Sequence, residues 1–406
     1  MAPDFPSLPS ELLLLILEYI HTLPNATPSL ASLCLTSQRI RSLAEPFLYA
    51  SYSNANQIDK PHIFPLSLIS RPDLADHVRE INIRVEGGVN PMPEDTFRHL
   101  RKAIDELDVP ESLLDYWKKL LASIGIFRAA ACAELSLLLA SRKVQNISLQ
   151  LSSLHEFSLI SHILFETPNW PGRFDQVHSV SVVSLPGTFD LHLYSLAYMF
   201  SMPSLRRFEI TGCHERSLGR SLGWNSKGDL QMDLGWWRRV QDSGVESIII
   251  RKGGVPHYAV NVLLNCCKAL KCLHVEVDLP WSEWALFQFF RLEDALCRHA
   301  KSLEYLAISQ DQDNRKRQEE PGFRHSGILS FLPKLCKLKS AVAPLRALTA
   351  IPEVGSIEIV HSEDGSTGEF FDDAEIRKYL PPFPGKISIC NEEVHYGATT
   401  HLLELA

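Results

Sequence analysis

The sequence predicts an α/β protein in which a short helical module precedes a long, irregular array of βα units carrying a parallel sheet. Three observations predict it. The pattern apolar-x-x-apolar-x-apolar recurs with starts at 144, 177, 205, 245, 270, 303 and 335, and each copy ends in the alternation of a half-buried strand. Stretches of helical character separate the copies, and strand–helix–strand at this spacing is a βα unit whose repetition implies parallel strands. The chain of 406 residues also exceeds one ordinary core, so several units or a repeat array are expected.

The first element is the helix opened by Leu8-Pro9-Ser10-Glu11. Pro9 suits the first helical position, where its missing N–H costs nothing, and Glu11 complements the helix dipole. Leu13, Ile16, Leu17 and Ile20 fall at i, i+3, i+4 and i+7 and make one apolar stripe. Leu12, Leu15 and Tyr19 make a second stripe beside it. A helix apolar on two sides must be covered on both, and the module of residues 1–50 is too small to do that alone. Three large apolar side chains left in water forgo about 1.5–3 kcal/mol each, against a domain stability of about 5–15 kcal/mol. The second stripe is therefore expected to meet another protein or the next domain.

A loop rich in Pro, Asn and Thr (residues 22–29) leads to a second apolar segment from Leu30 to Ala44, followed by Glu45-Pro46-Phe47-Leu48-Tyr49. Leu-Pro-x-Glu-Leu-Leu from Leu8, Leu-x-x-Leu-x-Leu-x-Ser-x-Arg from Leu30 and Pro-x-Leu-Tyr from Pro46 together resemble an F-box. The chain departs from that family at Ile40, where Trp or Phe is commoner, and in its stretched Pro-containing loop. The resemblance implies three short helices that dock on a Skp-type adaptor of a cullin–RING ubiquitin ligase. The residues it assigns to that contact are Leu8, Pro9, Leu12, Leu13, Leu15, Ile16, Leu17, Leu33 and Leu35.

Residues 51–76, punctuated by Asn54, Asn56, Pro61, Pro65 and Pro72, read as a linker. Residues 77–143 open on a first strand, Val78 to Val85, and continue as an insert from 86. The insert begins with Gly87-Gly88 and reads as two or three amphipathic helices. One stripe is Phe97, Leu100, Ile104 and Leu107, another is Leu135, Leu138 and Leu139, and both are expected to cap the end of the sheet. The array proper occupies 144–406. Its starts are spaced 33, 28, 40, 25, 33 and 32, the loose period of repeats that bear insertions. No unit of that size buries its apolar side alone, so neighbours must stack. Helices are expected at His155–Glu166, Leu191–Phe200, Tyr258–Lys268 and Trp284–His299. The array resembles the leucine-rich repeat proteins in a degenerate form, without their regular Asn or Cys after the strand. Cys266 to Val275 is the nearest copy. Together these readings make an N-terminal three-helix F-box followed by an irregular leucine-rich-repeat-like βα solenoid.

Composition narrows the function. Hydrophobic residues at 45% and charged ones at 22% are those of a folded soluble protein. A net charge of −8 argues against a chain built to neutralise nucleic-acid phosphates. No apolar run approaches the roughly 18 residues of a membrane span. The Leu12–Leu17 run lacks a preceding Lys or Arg and is flanked by Glu11 and Glu18, unlike a signal-peptide core. Nine scattered Cys read as thiols in a reducing compartment, cytosol or nucleus.

Chemistry is sought and not found. Gly219-Arg220-Ser221-Leu222-Gly223 matches the nucleophile-elbow pattern but lacks a strand before it and a helix after it. Cys266, Cys267, Cys272, His257 and His274 have the wrong spacing for a paired zinc site, and the Cys read as buried thiols near a repeat core. His99, His162 and His299 read as surface or cap residues. No catalytic residue, metal or cofactor is assigned. Trp224, Trp236, Trp237 and Arg238 lie in the longest repeat, where an insertion would project, and are candidate substrate contacts. Packing between repeats is the plainer account of them. The expectation is a substrate-recognition subunit of an SCF-type ligase that binds a Skp-type adaptor and an unidentified protein substrate. The alternatives are an F-box scaffold without ubiquitination activity and an unrecognised α/β enzyme.

Overall fold

The computed structural model describes residues 8–24, 26–55, 60–85, 92–107, 111–123, 125–151, 173–185, 196–212, 243–253, 257–277, 293–310, 337–341, 356–362 and 386–392. The protein is mixed α/β with parallel strands. It divides into two compact units, Met1–Gly187 with Met202–Ser204, and Thr188–Ser201 with Leu205–Ala406.

The first unit begins with three helices, α1 (Ser10–His21), α2 (Ala26–Cys34) and α3 (Gln38–Ala50). Strand β1 (Ser51–Ser53) follows at once, then α4 (Ile63–Ser70), a 3₁₀ turn (Pro72–His77) and β2 (Glu80–Val85). Helices α5 (Glu94–Asp105), α6 (Glu111–Ala122) and α7 (Ile126–Ala140) precede β3 (Asn146–Leu151) and β4 (Ser179–Ser184). The four strands pair in parallel and in chain order. Their register stacks like on like: Tyr52, Ile81, Ile147 and Val180 form one column, and Ile83, Leu149 and Val182 the next. Six of these face inward as buried side chains, while Tyr52 lies flat on Phe64 of α4 with ring centroids 3.6 Å apart. The lead residues of the pattern, Val78, Val144 and Val177, are fully buried.

The residue after each lead residue carries a second regularity. The Arg79 carbonyl accepts the N–H groups of Gln145 and Asn146 at 2.7 and 3.0 Å, and the Gln145 carbonyl accepts those of His178 and Ser179 at 2.8 and 3.2 Å. The row begins in α3, whose Ala50 carbonyl accepts the Arg79 N–H at 2.8 Å.

Several expectations change here. Residues 51–76, expected as a linker, carry β1, α4 and the 3₁₀ turn. Their prolines open elements: Pro65 sits in the first turn of α4 and Pro72 begins the 3₁₀ turn, positions where no N–H partner is lost. Asn54 is buried, and its amide acts as a surrogate strand residue. It donates to the Arg84 carbonyl at 2.9 Å and accepts the Arg84 N–H at 2.6 Å. In the 22–29 loop, α2 already starts at Ala26, with Pro28 in its first turn.

The insert also resolves differently. Leu100 and Ile104 are buried, as their stripe requires, but α7 is not a cap with one apolar face. Ala129 through Leu138 are all buried, because α7 packs against α4, α6 and β2 as the crossover between β2 and β3. Its one acidic residue, Glu134, accepts the indole N–H of buried Trp117 at 2.9 Å through Oε2.

The second unit carries β5 (Arg207–Thr211), β6 (Ser247–Gly253), α8 (His257–Cys266), β7 (Cys272–Val277), α9 (Glu293–Arg298) and β8 (Tyr305–Gln310). Strands β9 (Lys337–Ala341), β10 (Ser356–Ser362) and β11 (Lys386–Glu392) follow. These also pair in parallel and in chain order. Phe208, Ile248, Leu273 and Leu306 share a column and are buried. The carbonyl row recurs: Arg206 accepts from Glu246 and Ser247, Glu246 from Lys271 and Cys272, and Lys271 from Glu304 and Tyr305, all within 2.8–2.9 Å. The helix expected at 191–200 is, where described, a 3₁₀ turn (Ala197–Ser201), and its Phe200 packs at 5.0 Å on Phe208. The expected helices at 155–166 and most of 284–299 lie outside the described residues.

Candidate functional site

Helix α1 carries the candidate site. The chain enters it through Pro9, which stands just before the helix rather than at its first position. The Pro9 carbonyl accepts the N–H groups of Leu12 and Leu13 at 3.1 Å each. Leu13 and Leu17 point inward and are fully buried. Leu17 packs with Leu30 of α2 and Ala44 of α3, joined by Ile20, Leu33 and Phe47. On the neighbouring side of α1, Leu12, Leu15 and Tyr19 are 47%, 61% and 66% exposed.

Two residues that stood in the sequence pattern without a role hold this module together. Ser37 accepts the Ile40 N–H at 3.2 Å with its hydroxyl, capping α3. Arg39 reaches back to the start of α1, donating to the Leu8 carbonyl at 2.8 Å and the Ser10 hydroxyl at 3.2 Å. The turn between α2 and α3 is thereby tethered to the beginning of α1. That turn presents Leu35, 87% exposed. Ile40, the departure from the family pattern, is buried.

The nine residues assigned to the contact therefore separate. Leu12, Leu15, Leu35 and Pro9 are exposed, and Leu8 and Ile16 are half-buried at the margin of the stripe. Leu13 and Leu17 are corrected to core residues, and Leu33 packs against that core. Helical spacing separated the two stripes correctly, yet the family motif spans both.

At the far end of the module, Glu45 of α3 accepts from Arg41 at 2.8 Å and from Arg71, after α4, at 3.2 Å. Arg71 also holds Asp73 at 2.6 Å. Burial raises the Glu45 carboxyl, but the two guanidinium bonds outweigh it and hold the group below the usual carboxylate range. Burial pushes the neighbouring Cys34 thiol and Tyr49 hydroxyl up.

The other candidates give no reactive centre. Trp224, Trp236, Trp237, Arg238 and the 219–223 pattern lie outside the described residues. Cys266 and Cys267 are buried, and burial pushes the Cys266 thiol up to about 12. Cys272 and His274 lie on the strand face opposite the buried Leu273 and Val275. Among the described residues, no three His, Cys, Asp or Glu side chains are grouped to hold a metal ion. None of the described helices is long and apolar enough to cross a membrane.

His299 corrects its reading as a surface or cap residue: it is buried. Its Nδ1 accepts the Leu270 N–H at 3.3 Å, which leaves Nε2–H to donate to the Leu264 carbonyl at 3.0 Å. It ties the end of α8 and the approach to β7 to the segment after α9. Burial holds its pKa below the ordinary value.

No protein-family model matches the chain, and a search of curated proteins finds no match either.

Proposed function

We propose that the chain is the substrate-recognition subunit of an SCF-type cullin–RING ubiquitin ligase. Helices α1–α3 form its F-box and dock on a Skp-type adaptor. The strands and crossovers that follow form an irregular, leucine-rich-repeat-like solenoid that holds a protein substrate. The observation that carries the reading is α1 itself, whose Leu12, Leu15 and Tyr19 stand in water while Leu13 and Leu17 complete the core. An isolated module has no physical use for such a stripe, and an apolar partner surface does. The resemblance of the motifs around Leu8, Leu30 and Pro46 to an F-box supports a Skp-type adaptor as that partner. Chain-order pairing of parallel strands, with a recurrent carbonyl row, supports the repeat reading. In this role the protein contributes proximity, and other subunits perform the transfer chemistry. Its setting is the cytosol or nucleus.

The test is capture of a purified Skp-type adaptor by the full chain. Leu12→Asp with Leu15→Asp should abolish capture and leave the far-UV spectrum intact. Capture that never occurs, or that survives the double change, removes the docking role from α1. Recovery of the adaptor from cell extract without cullin would favour the scaffold reading.

A further inference from the structure

We infer that Glu45 and Arg71 are positioning residues that lock α1–α3 onto the strands of the first unit, so that the exposed stripe of α1 keeps a set direction relative to β1–β4. Its use rests on the docking reading; its geometry does not.

Three observations carry it. First, α3 ends at Ala50 and β1 begins at Ser51, so no loop residue stands between the module and the sheet. Hinges need a few loop or terminal positions that can absorb a backbone change. Here the Ala50 carbonyl is already bonded to the Arg79 N–H at 2.8 Å, as the first member of the row that continues through Arg79 and Gln145. The module is thus joined to the sheet by the sheet's own hydrogen-bond pattern.

Second, the next residues are fixed from the other side. Ser51, Tyr52 and Ser53 pair with Glu80, Ile81 and Asn82, and Tyr52 stacks on Phe64 at an interplanar angle of 5°.

Third, Glu45 closes the triangle. It sits on α3 one turn before Ala50, and its side chain is only 15% exposed. Arg71 reaches it from the segment between α4 and the 3₁₀ turn that feeds β2, while Asp73 holds the same guanidinium in place. An isolated surface ion pair contributes little. A carboxylate shared by two guanidinium groups, one of them itself clamped, has far less freedom. Swinging α3 about the Ala50–Ser51 junction would break this cluster and the Ala50–Arg79 bond together. An adaptor on α1 and a cargo on these strands would then stand at a fixed separation, the condition under which proximity accelerates transfer.

The test uses the full chain with a ketone-bearing amino acid in place of Glu18 on α1 and of Arg142 before β3, both exposed. Nitroxides attached to the ketones bypass the nine cysteines. Pulsed electron double resonance then reads the distance distribution between them. The parent should give a single narrow peak. Inserting Gly-Ser-Gly-Ser between Ala50 and Ser51 should spread it toward the roughly 11 Å r.m.s. reach of four flexible residues. Glu45→Ala and Arg71→Ala should each widen the peak about twofold, less than the insertion does. Glu45→Gln, a milder change should alanine compromise folding, should widen it by a smaller margin. A broad parent distribution overturns the inference, and so do substituted chains as narrow as the parent. Adaptor capture by Glu45→Ala should stay at the parent's level; its loss would make Glu45 a support of the docking surface and overturn the positioning role. Failure of the docking reading is separate: capture would ignore Leu12→Asp while the distances stayed as described.

Discussion

His299 shows how one side chain can serve two backbone groups and what that costs in acid. Folded, the neutral imidazole accepts from Leu270 and donates to Leu264, and burial keeps its pKa below the ordinary 6.5. Above that value neither the folded nor the unfolded chain binds a proton there, and the contribution to stability is complete. As pH falls below about 6.5, the unfolded chain takes up a proton that the folded chain resists, so stability declines until the folded pKa is reached. Urea titrations at pH 7.5 and at pH 5.5 should therefore show the parent weaker in acid. His299→Leu should be less stable at both, because two buried backbone groups lose their partner, but its pH slope should be shallower. One proton accounts for at most about 1.4 kcal/mol per pH unit. An unchanged slope would mean that His299 takes up its proton over the same pH range in the folded and the unfolded chain. Nothing at residue 299 in the sequence signals this role, since the partners lie 29 and 35 residues away. Asn54 is a similar case: it stands in a stretch that reads as linker punctuation, and only the arrival of β2 turns its amide into a bracket for Arg84.

At the scale of the element, α1 and α7 are opposite lessons in periodicity. In α1 the two stripes were legible because their residues differ only in angular position, and spacing reports angle directly. The assignment of both stripes to one contact was not, since a family pattern does not separate residues that hold a helix in place from those that meet a partner. The separation has a measurable form. Leu17→Ala should cost about 2–5 kcal/mol in urea unfolding. Leu15→Asp should stay within about 0.5 kcal/mol of the parent, since it changes a side chain already in water. Equal losses would mean that the stripe is covered within the chain. In α7, by contrast, Leu135, Leu138 and Leu139 suggest a single face, while Ala129, Ala130, Ala131, Cys132 and Ala133 are small residues that are buried as well. Small apolar residues all round a helix mean close neighbours on every side, and α4, α6 and β2 supply them.

At the scale of the molecule, the recurrent strand pattern made the α/β class and the parallel strands legible, because lead residues and inward columns must be apolar whatever their identity. The carbonyl row was invisible for the complementary reason: Arg79, Gln145, Arg206, Glu246 and Lys271 share only long polar side chains outside the core, which do not report what their carbonyls bond. The contrast predicts two unequal substitutions. Gln145→Ala should change stability by no more than about 0.5 kcal/mol, since its carbonyl remains. Leu303→Ala, at a fully buried lead position, should cost about 2–5 kcal/mol. A large loss at Gln145 would show that the side chain, not the carbonyl, holds the row. A joint written in peptide groups is also a joint without a spelling. Descendants of this chain can rewrite each second-position residue, and lengthen any crossover, while each strand still finds its place beside the last.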